Sequence, residues 1–553
     1  MNYFLTYTVY VLILSILMGI STWKLFKKMG YSPLFAFIPF YNYFIILKET
    51  KHPKWWAILS YLPIVGPIMM SVFHIYLMKK FGKSLFQHQL LTVILPFIYM
   101  ATVNYSKDVE LEDENANELF LTDEEKNAKK KDTFIGSITF AVVFATIIHV
   151  FVTQPFGIPT GSMERTLLVG DFLFVNKWSY GYRLPMRPVA IPFLQGTIYD
   201  SQKDGNPKND PKSYVEGVKL PYTRILQFNK PQKNDVVVFN YPQDSVHTAI
   251  DRKDPYVKRC VAVAGDTFEM RGGKLFVNGK PETVLGDQEV QHAYTVNAGE
   301  QLDIPSLYNT YGFLPVREMQ NDKGFEYIFQ GLTDKTAAEI KALPNVISME
   351  ENIYPKDSAT ISYKLNADKT AYTKSIDTTQ SIFPINKPWN QDWYGPVRIP
   401  KKGDVVAINK ETLPMYQWII SEYEHNSLEN KNGKIFINGK EASQYTIQQD
   451  YYMMVGDNRD ASLDARFFGF VPEENIVGKP MFTWMSLQGA FSDASSSYQA
   501  PFKVRWERMF KATNTGEANK TSYWWIAAMI LILFFGWEYF VKLFRKKKTE
   551  EDL

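Results

Sequence analysis

Long apolar blocks occupy the two ends of the chain, and short alternating segments fill its middle. Residues 3–23 are almost wholly apolar and reach the roughly 20 residues that a bilayer crossing needs. No basic residue precedes them, unlike a cleavable signal peptide. Residues 33–47 are shorter and broken by Pro39, which predicts an interfacial or re-entrant segment. Residues 55–78, carrying Pro63 and Pro67, and residues 86–103 are expected to be two more spans. A polar stretch, 104–132, follows: acidic from Glu110 to Glu118, basic at Lys129-Lys130-Lys131, the composition of a solvated linker. Residues 134–153 are again mostly apolar, and so are 523–541, where Trp524, Trp525 and Trp537 suit a membrane interface.

Between these last two blocks the period changes. Asp171-Phe-Leu-Phe-Val-Asn-Lys-Trp178, Asp235 to Phe239, Val257 to Val263, Lys274 to Val277, Asp404 to Ile408, Lys434 to Ile437, Tyr452 to Val455 and Lys479 to Trp484 read as strands. Gly273-Lys-Leu-Phe-Val-Asn-Gly-Lys280 and Gly433-Lys-Ile-Phe-Ile-Asn-Gly-Lys440 echo each other. Each runs a short strand into Asn-Gly, and they read as two ordinary hairpins. Thr333 to Leu343 has a helical pattern with Thr333 as N-cap and Pro344 beyond its end.

The organisation expected is a membrane domain of about three spans (1–103), a charged linker (104–132), an anchor (133–153), a β-domain in two parts (154–282 and 396–521) around an inserted subdomain (283–395), a C-terminal membrane helix (522–544) and a tail (545–553). Lysine and arginine bias places Lys129–Lys131 and Arg545–Lys548 on the inside, so 154–521 faces outside. Three spans then put the N-terminus outside, with Lys24, Lys27, Lys28, Lys48, Lys51 and Lys54 inside. Lys79, Lys80 and Lys83 fall outside, against the rule. A net charge of +3 does not point to nucleic acid, and the lone Cys260 precludes an intramolecular disulfide.

Chemistry concentrates in three segments. Pro155-Phe-Gly-Ile-Pro-Thr-Gly-Ser-Met-Glu-Arg-Thr-Leu167 leaves the anchor as a Pro/Gly-rich turn carrying Ser162, which is either a nucleophile or an incidental turn serine. A serine nucleophile needs a base. His247, His292 and His425 sit in no triad context, and Ser162 is in no G-x-S-x-G elbow. A lysine made neutral by burial is the other accepted base. The candidate is Lys258; strand alternation sets it on one face with Tyr256 and Cys260 and turns Arg259 away. Local composition by itself favours a surface lysine at a strand edge over a buried base. The third segment, Tyr452 to Pro472, holds Asp457, Asp460 and Asp464. Their spacing lacks the glycine and glutamate of a calcium loop, so no metal or cofactor is expected, and Asp464 with Arg466 is the expected ion pair.

Thr160-Gly-Ser-Met163, Tyr256-Val-Lys-Arg259 and Gly456-Asp-Asn-Arg-Asp-Ala-Ser-Leu-Asp-Ala-Arg466, in that order after a membrane span, resemble the bacterial type I signal peptidases over about 134–282 and 400–486. The resemblance implies a membrane-anchored, mainly-β fold: an antiparallel signal peptidase β-domain with an inserted α+β subdomain and transmembrane helices at both ends. It implies Ser162 as nucleophile, Lys258 as general base, Thr160 at the oxyanion hole, Ser462 orienting the lysine amine and Asp464 with Arg466 in support. Ile158, Pro159, Met163, Tyr256 and Val257 match the substrate cleft. Arg165, Ala264, Ala461 and Ala465 depart from the family's usual residues, the first two standing where proline is usual. The partners implied are exported preproteins and the lipid bilayer, with encounter at the secretion machinery, and no nucleic acid. A Ser–Lys protease restricted to itself or to one membrane partner, and a non-catalytic membrane scaffold, are the alternative readings.

Overall fold

The computed structural model describes residues 3–111, 141–199, 207–247, 249–311, 315–322, 324–357, 361–365, 372–376, 382–491, 502–513, 516, 522–529 and 532. The chain forms two compact units. One comprises Met1–Gln154, Gly181–Leu226 and Asp244–Asp254; the other comprises Pro155–Tyr180, Gln227–Gln243 and Pro255–Leu553.

In the first unit, α1 (Tyr3–Lys28) is the one helix among the described residues long and apolar enough to cross a membrane. At its start the Tyr3 hydroxyl donates to the Pro185 carbonyl, 3.1 Å away. At its end the Lys28 amine donates to the Val109 carbonyl. The chain then climbs back along α1: Phe37 lies against Gly19, where any side chain would overlap its ring. Helix α2 (Tyr41–Glu49) reverses again, bringing Lys48 and Glu49 to the Tyr31 hydroxyl at 2.9 and 2.6 Å. Residues 33–47 thus form a hairpin that opens and closes at the same end.

The next two segments depart from the expected single spans. Residues 54–61 are 3-10 turns, and α3 (Val65–Lys80) starts only after a reversal at Ile64, whose φ is 68°. Pro63 and Pro67 bring no N–H and bar a continuous helix. The Ile64 N–H donates to Pro188, while His52 stacks on Tyr76 with ring centroids 3.9 Å apart, so the foot of α3 returns beside its own approach. Likewise 86–103 is two helices, α4 (Phe86–Ile94) and α5 (Pro96–Tyr105), broken before Pro96. Asn104 Oδ1 accepts the N–H groups of Lys24 and Leu25 at 2.8 and 3.1 Å, which fixes the end of α5 beside the end of α1. The lysines in the last turns of α1, α2 and α3, namely Lys27, Lys28, Lys48, Lys79 and Lys80, therefore lie toward one end of this unit. Such non-helical backbone is tolerated at membrane depth only when enclosed by protein. Here Ser15 with Tyr61 (2.9 Å) and Tyr43 with His74 (3.0 Å) pair inside the helices. Helix α6 (Ala141–Phe151) is the described part of the anchor, and its Val150 carbonyl accepts the Tyr182 hydroxyl at 2.9 Å.

The second unit is built on an antiparallel sheet in the order β1 (Thr153–Gly157), β2 (Asp171–Asn176), Ile476–Gln488, Val236–Asn240, Pro255–Ala262, Tyr451–Val455, Val471–Pro472. In chain order the last five are β3 (Val236–Asn240), β4 (Pro255–Ala262), β5 (Tyr451–Val455), β6 (Val471–Pro472) and β7 (Ile476–Gln488). Every residue of β3 and β5 is buried, as continuous Val, Met, Phe and Tyr runs require when both faces are covered. Val237, Phe239, Cys260, Ala262, Met453 and Val455 belong to one core. Residues 274–277 and 434–437 sit in separate small sheets. Asn278 and Asn438 turn each of them at φ 54° and 51° before glycine.

The insert is α+β with its own core of Val296, Tyr327, Phe329 and Ile340. Its sheet runs Arg317–Asn321, Gly324–Leu332, His292–Ala298, Val346–Glu351. The helix Asp334–Lys341 is capped as expected, Thr333 Oγ1 accepting the Thr336 N–H. Of the C-terminal membrane block, residues 524–529 are helical; most of the rest, the tail and the linker beyond residue 111 lie outside the described residues.

Candidate active site

The turn that carries Ser162 is a single 3-10 turn, Gly161–Met163, held between β1 and β2. Met163, with no exposed surface, packs beneath it against Ile158, Leu167, Leu173 and Val236. Two expected cleft residues, Ile158 and Met163, are thus mainly footing for the turn. Pro159 is exposed, and Tyr256 and Val257 keep accessible surface. At Arg165 the backbone takes φ 67°, which proline's ring forbids, so the missing family proline has a conformational cause.

Lys258 lies on β4, between β3 and β5 in the sheet. Its side chain is 3% exposed and Ser162 is 7% exposed. The amine stands 2.6 Å from Ser162 Oγ and 3.1 Å from the Val257 carbonyl, with the Tyr256 ring centroid at 5.4 Å. The alternation that set Tyr256 and Lys258 on one face therefore describes the site. Burial lowers the Lys258 pKa to about 8, while the charges of Asp464 and Asp457 pull it upward. The amine can be neutral near physiological pH, as a base must be.

Two buried ion pairs frame the dyad. Arg466 donates through Nε and Nη2 to Asp464 at 2.9 and 2.8 Å, both residues having no exposed surface. Burial opposes the Asp464 charge, but the Arg466 guanidinium and its hydrogen bonds prevail and hold that carboxyl below the usual range. The second pair escaped sequence reasoning. Arg259 forks onto Asp457 at 2.8 and 2.7 Å and donates to the Asn234 carbonyl. Asp457 also accepts the Thr166 hydroxyl at 2.7 Å. Asp460 instead accepts the Ala293 N–H and the Gln391 amide. The three aspartates have separate protein partners; among the described residues the one convergent group is Asp244, His247 and Asp254, outside this site.

Asn458 binds the nucleophile turn itself. Its N–H donates to the Ser162 carbonyl at 3.2 Å and its side chain to the Gly161 carbonyl at 3.1 Å. The expected Ser462–Lys258 hydrogen bond is not formed. The Ser462 hydroxyl lies against Gly456, on the Asp464 side, close enough to favour that carboxylate's charge without a full hydrogen bond. The exposed Thr160 side chain has no hydrogen-bond partner among the described residues.

A serine hydroxyl within hydrogen-bond reach of a desolvated lysine, on an antiparallel sheet, has the geometry of a serine hydrolase that uses lysine in place of histidine. Comparison with known proteins identifies the family. The family described as signal peptidase, peptidase S26, matches residues 131–324 and 393–485, more than half of the chain. The chain belongs to that family. It is 28% identical over 397 residues to the signal peptidase I of Haemophilus influenzae, covering 70% of this chain and 79% of the relative. With signal peptidase I of Helicobacter pylori it shares 25% over 382 residues, covering 68% and 92%. A shorter match, 33% over 155 residues, joins it to signal peptidase I of Pseudomonas fluorescens, covering 27% and 40%. Residues 34–113 match a second family, of unknown function.

Proposed function

We propose that Ser162 is the nucleophile and Lys258 the general base of this protease. As a member of the signal peptidase family, the protein is a serine protease that removes signal peptides. The observation that carries the assignment is the 2.6 Å contact between the two buried side chains. Neutral Lys258 takes the Ser162 proton as Oγ bonds to the scissile carbonyl carbon. The C–N bond then breaks, and the lysine's proton passes to the leaving amine. Water, giving a proton to Lys258, attacks the acyl ester, and Lys258 passes that proton to Ser162 Oγ as the ester C–O bond breaks, which restores both residues. The Ser162 N–H, near the start of a 3-10 turn and without a partner inside it, and the Thr160 hydroxyl are suited to the oxyanion. Asp464 with Arg466 and Asp457 with Arg259 hold the surrounding loop. Ala-x-Ala cleavage sites are the expected targets.

The proposed site of action is the outer face of a bacterial cytoplasmic membrane, where preproteins leave the secretion machinery. Supporting this, Tyr3 and Ile64 contact the 185–188 segment, which lies beyond the anchor, at the end of the first unit opposite the lysines that close α1 and α3. The opposite, lysine-rich end would face inward. A further membrane helix at 522–544 belongs to the same proposal. The test is cleavage of a purified preprotein by the full-length protein. Replacing Ser162 by Ala, or Lys258 by Ala, should abolish processing with folding retained. Full activity in either variant rejects the dyad.

A further inference from the structure

Gln291, the residue just before the insert's first strand, is fully buried. Its side-chain amide donates to the Glu164 carbonyl at 2.7 Å, two residues past Ser162. Its backbone is clamped as firmly: the N–H donates to the Asp457 carbonyl at 2.9 Å and the carbonyl accepts the Arg459 N–H at 3.0 Å. Gln291 thus lies alongside Asn458 as a one-residue parallel bridge. Together the two residues take the carbonyls of Gly161, Ser162 and Glu164, which span the turn. Neighbouring contacts run the same way: the Glu289 N–H reaches Thr166 Oγ1, and Glu282 holds Arg459 through both oxygens at 2.6 and 2.7 Å.

The insert bears directly on this bracket. Gly331, on the strand Gly324–Leu332, sits so close that a methyl group there would come within 2.8 Å of Gln291 Oε1 and 3.1 Å of Asn458 Nδ2. Gln291 Oε1 has no hydrogen-bond partner among the described residues, so the amide is held from its donor side alone. Any push from Gly331 must move the group that holds Glu164. The strand begun at His292 pairs antiparallel with Gly324–Leu332, His292 opposite Leu332 with a register shift before Tyr294, so the insert's sheet and the bracket are one continuous piece of backbone.

We infer that Gln291 is a positioning residue for the Ser162 nucleophile, and that through it the inserted sheet sets the geometry of the catalytic turn. This rests on the Ser162–Lys258 reading. Gln291 touches neither reacting atom. It fixes the carbonyl of Glu164 so that Oγ, the oxyanion-binding N–H and Lys258 Nζ stay in line, and misplacement on the ångström scale is costly in rate.

The test uses the full-length protein and a preprotein substrate, with kcat, KM, pH profile and Tm measured for each variant. Gln291→Leu removes the donor without adding charge. Gly331→Ala leaves Gln291 in place and adds one methyl from the insert side, at a glycine whose backbone needs no left-handed conformation. For each, kcat should fall about tenfold while KM stays within about twofold, the scale of one lost positioning hydrogen bond. The pH midpoint should not move, because Lys258 is untouched. Unchanged kcat in both variants overturns the inference, as does a loss carried only by KM. If Gln291→Leu does not fold, Gln291→Asn, which keeps the amide but shortens its reach to the Glu164 carbonyl, takes its place and is read against the same criteria. A Ser162→Ala control separates the two readings: an active control rejects the dyad, whereas an inactive control beside fully active Gln291→Leu and Gly331→Ala rejects only the positioning role.

Discussion

Replacing Lys258 by Met should make the protein more stable at neutral pH while removing its activity. The Lys258 pKa lies at about 8 because the amine is buried, with Asp464 and Asp457 offsetting part of that shift. In the unfolded chain a lysine titrates near ~10.4. Between those values the unfolded state binds more protons than the native state, so stability rises with pH across that window. Below about 8 both states are charged, and the native state carries the whole cost of a buried ammonium. The gap of roughly 2.4 units corresponds to ~3 kcal/mol. Methionine keeps the stem's volume and has no charge to bury. The assay is denaturant unfolding of the detergent-solubilised wild type and Lys258→Met from pH 6 to 11. The variant should gain ~3 kcal/mol on the wild type at pH 7, and that advantage should shrink as pH rises from about 8 to ~10.4. A variant no more stable at pH 7, or an advantage that ignores pH, would refute the claim that burial depresses this amine.

Wild-type cleavage should rise about tenfold per pH unit below the Lys258 pKa of about 8 and level off above it; an acidic limb near pH 6.5 that vanishes on replacing His247, His292 or His425 would point to a histidine base. Asp464→Asn leaves Arg466 buried without its counter-charge and should cost ~3–5 kcal/mol in unfolding experiments, and an unchanged Tm would contradict the pairing. A cysteine placed at position 120, with Cys260 replaced, should react with an impermeant thiol reagent only after the cells are opened; labelling in intact cells would reverse the proposed orientation.

Much of the site was legible because its residues are local in sequence. Thr160 to Met163 form one turn, and Lys258 shares a strand face with Tyr256 by simple alternation. Asp464 with Arg466 is a pair two residues apart. What could not be read is long-range. Arg259 was expected to point away from the site, and it does leave Lys258's face, yet it ends in a buried fork on Asp457, 198 residues later. Gln291 carries no motif, because its role comes from a bracket assembled from three distant segments. In the membrane module, hydropathy marks apolar length but is blind to reversals within it. The breaks at Ile64 and Pro96 divide two segments expected to be continuous helices, and in the sequence Pro63, Pro67 and the conflict over Lys79, Lys80 and Lys83 were the hints of that. Ser462 shows the converse: its place in a motif implied a bond to Lys258, but the absent side chain at Gly456 lets its hydroxyl settle elsewhere.

The central claim is that Ser162 becomes covalently acylated with Lys258 as its base. Full-length protein should be incubated at pH 8 with a signal-peptide analogue carrying a slowly hydrolysed acyl group, quenched, digested and mapped by mass spectrometry. The adduct should fall on the peptide containing Gly161-Ser162-Met163, and its formation should be lost in Lys258→Met. An adduct on any other residue, or one on Ser162 that forms equally fast without Lys258, would contradict the account.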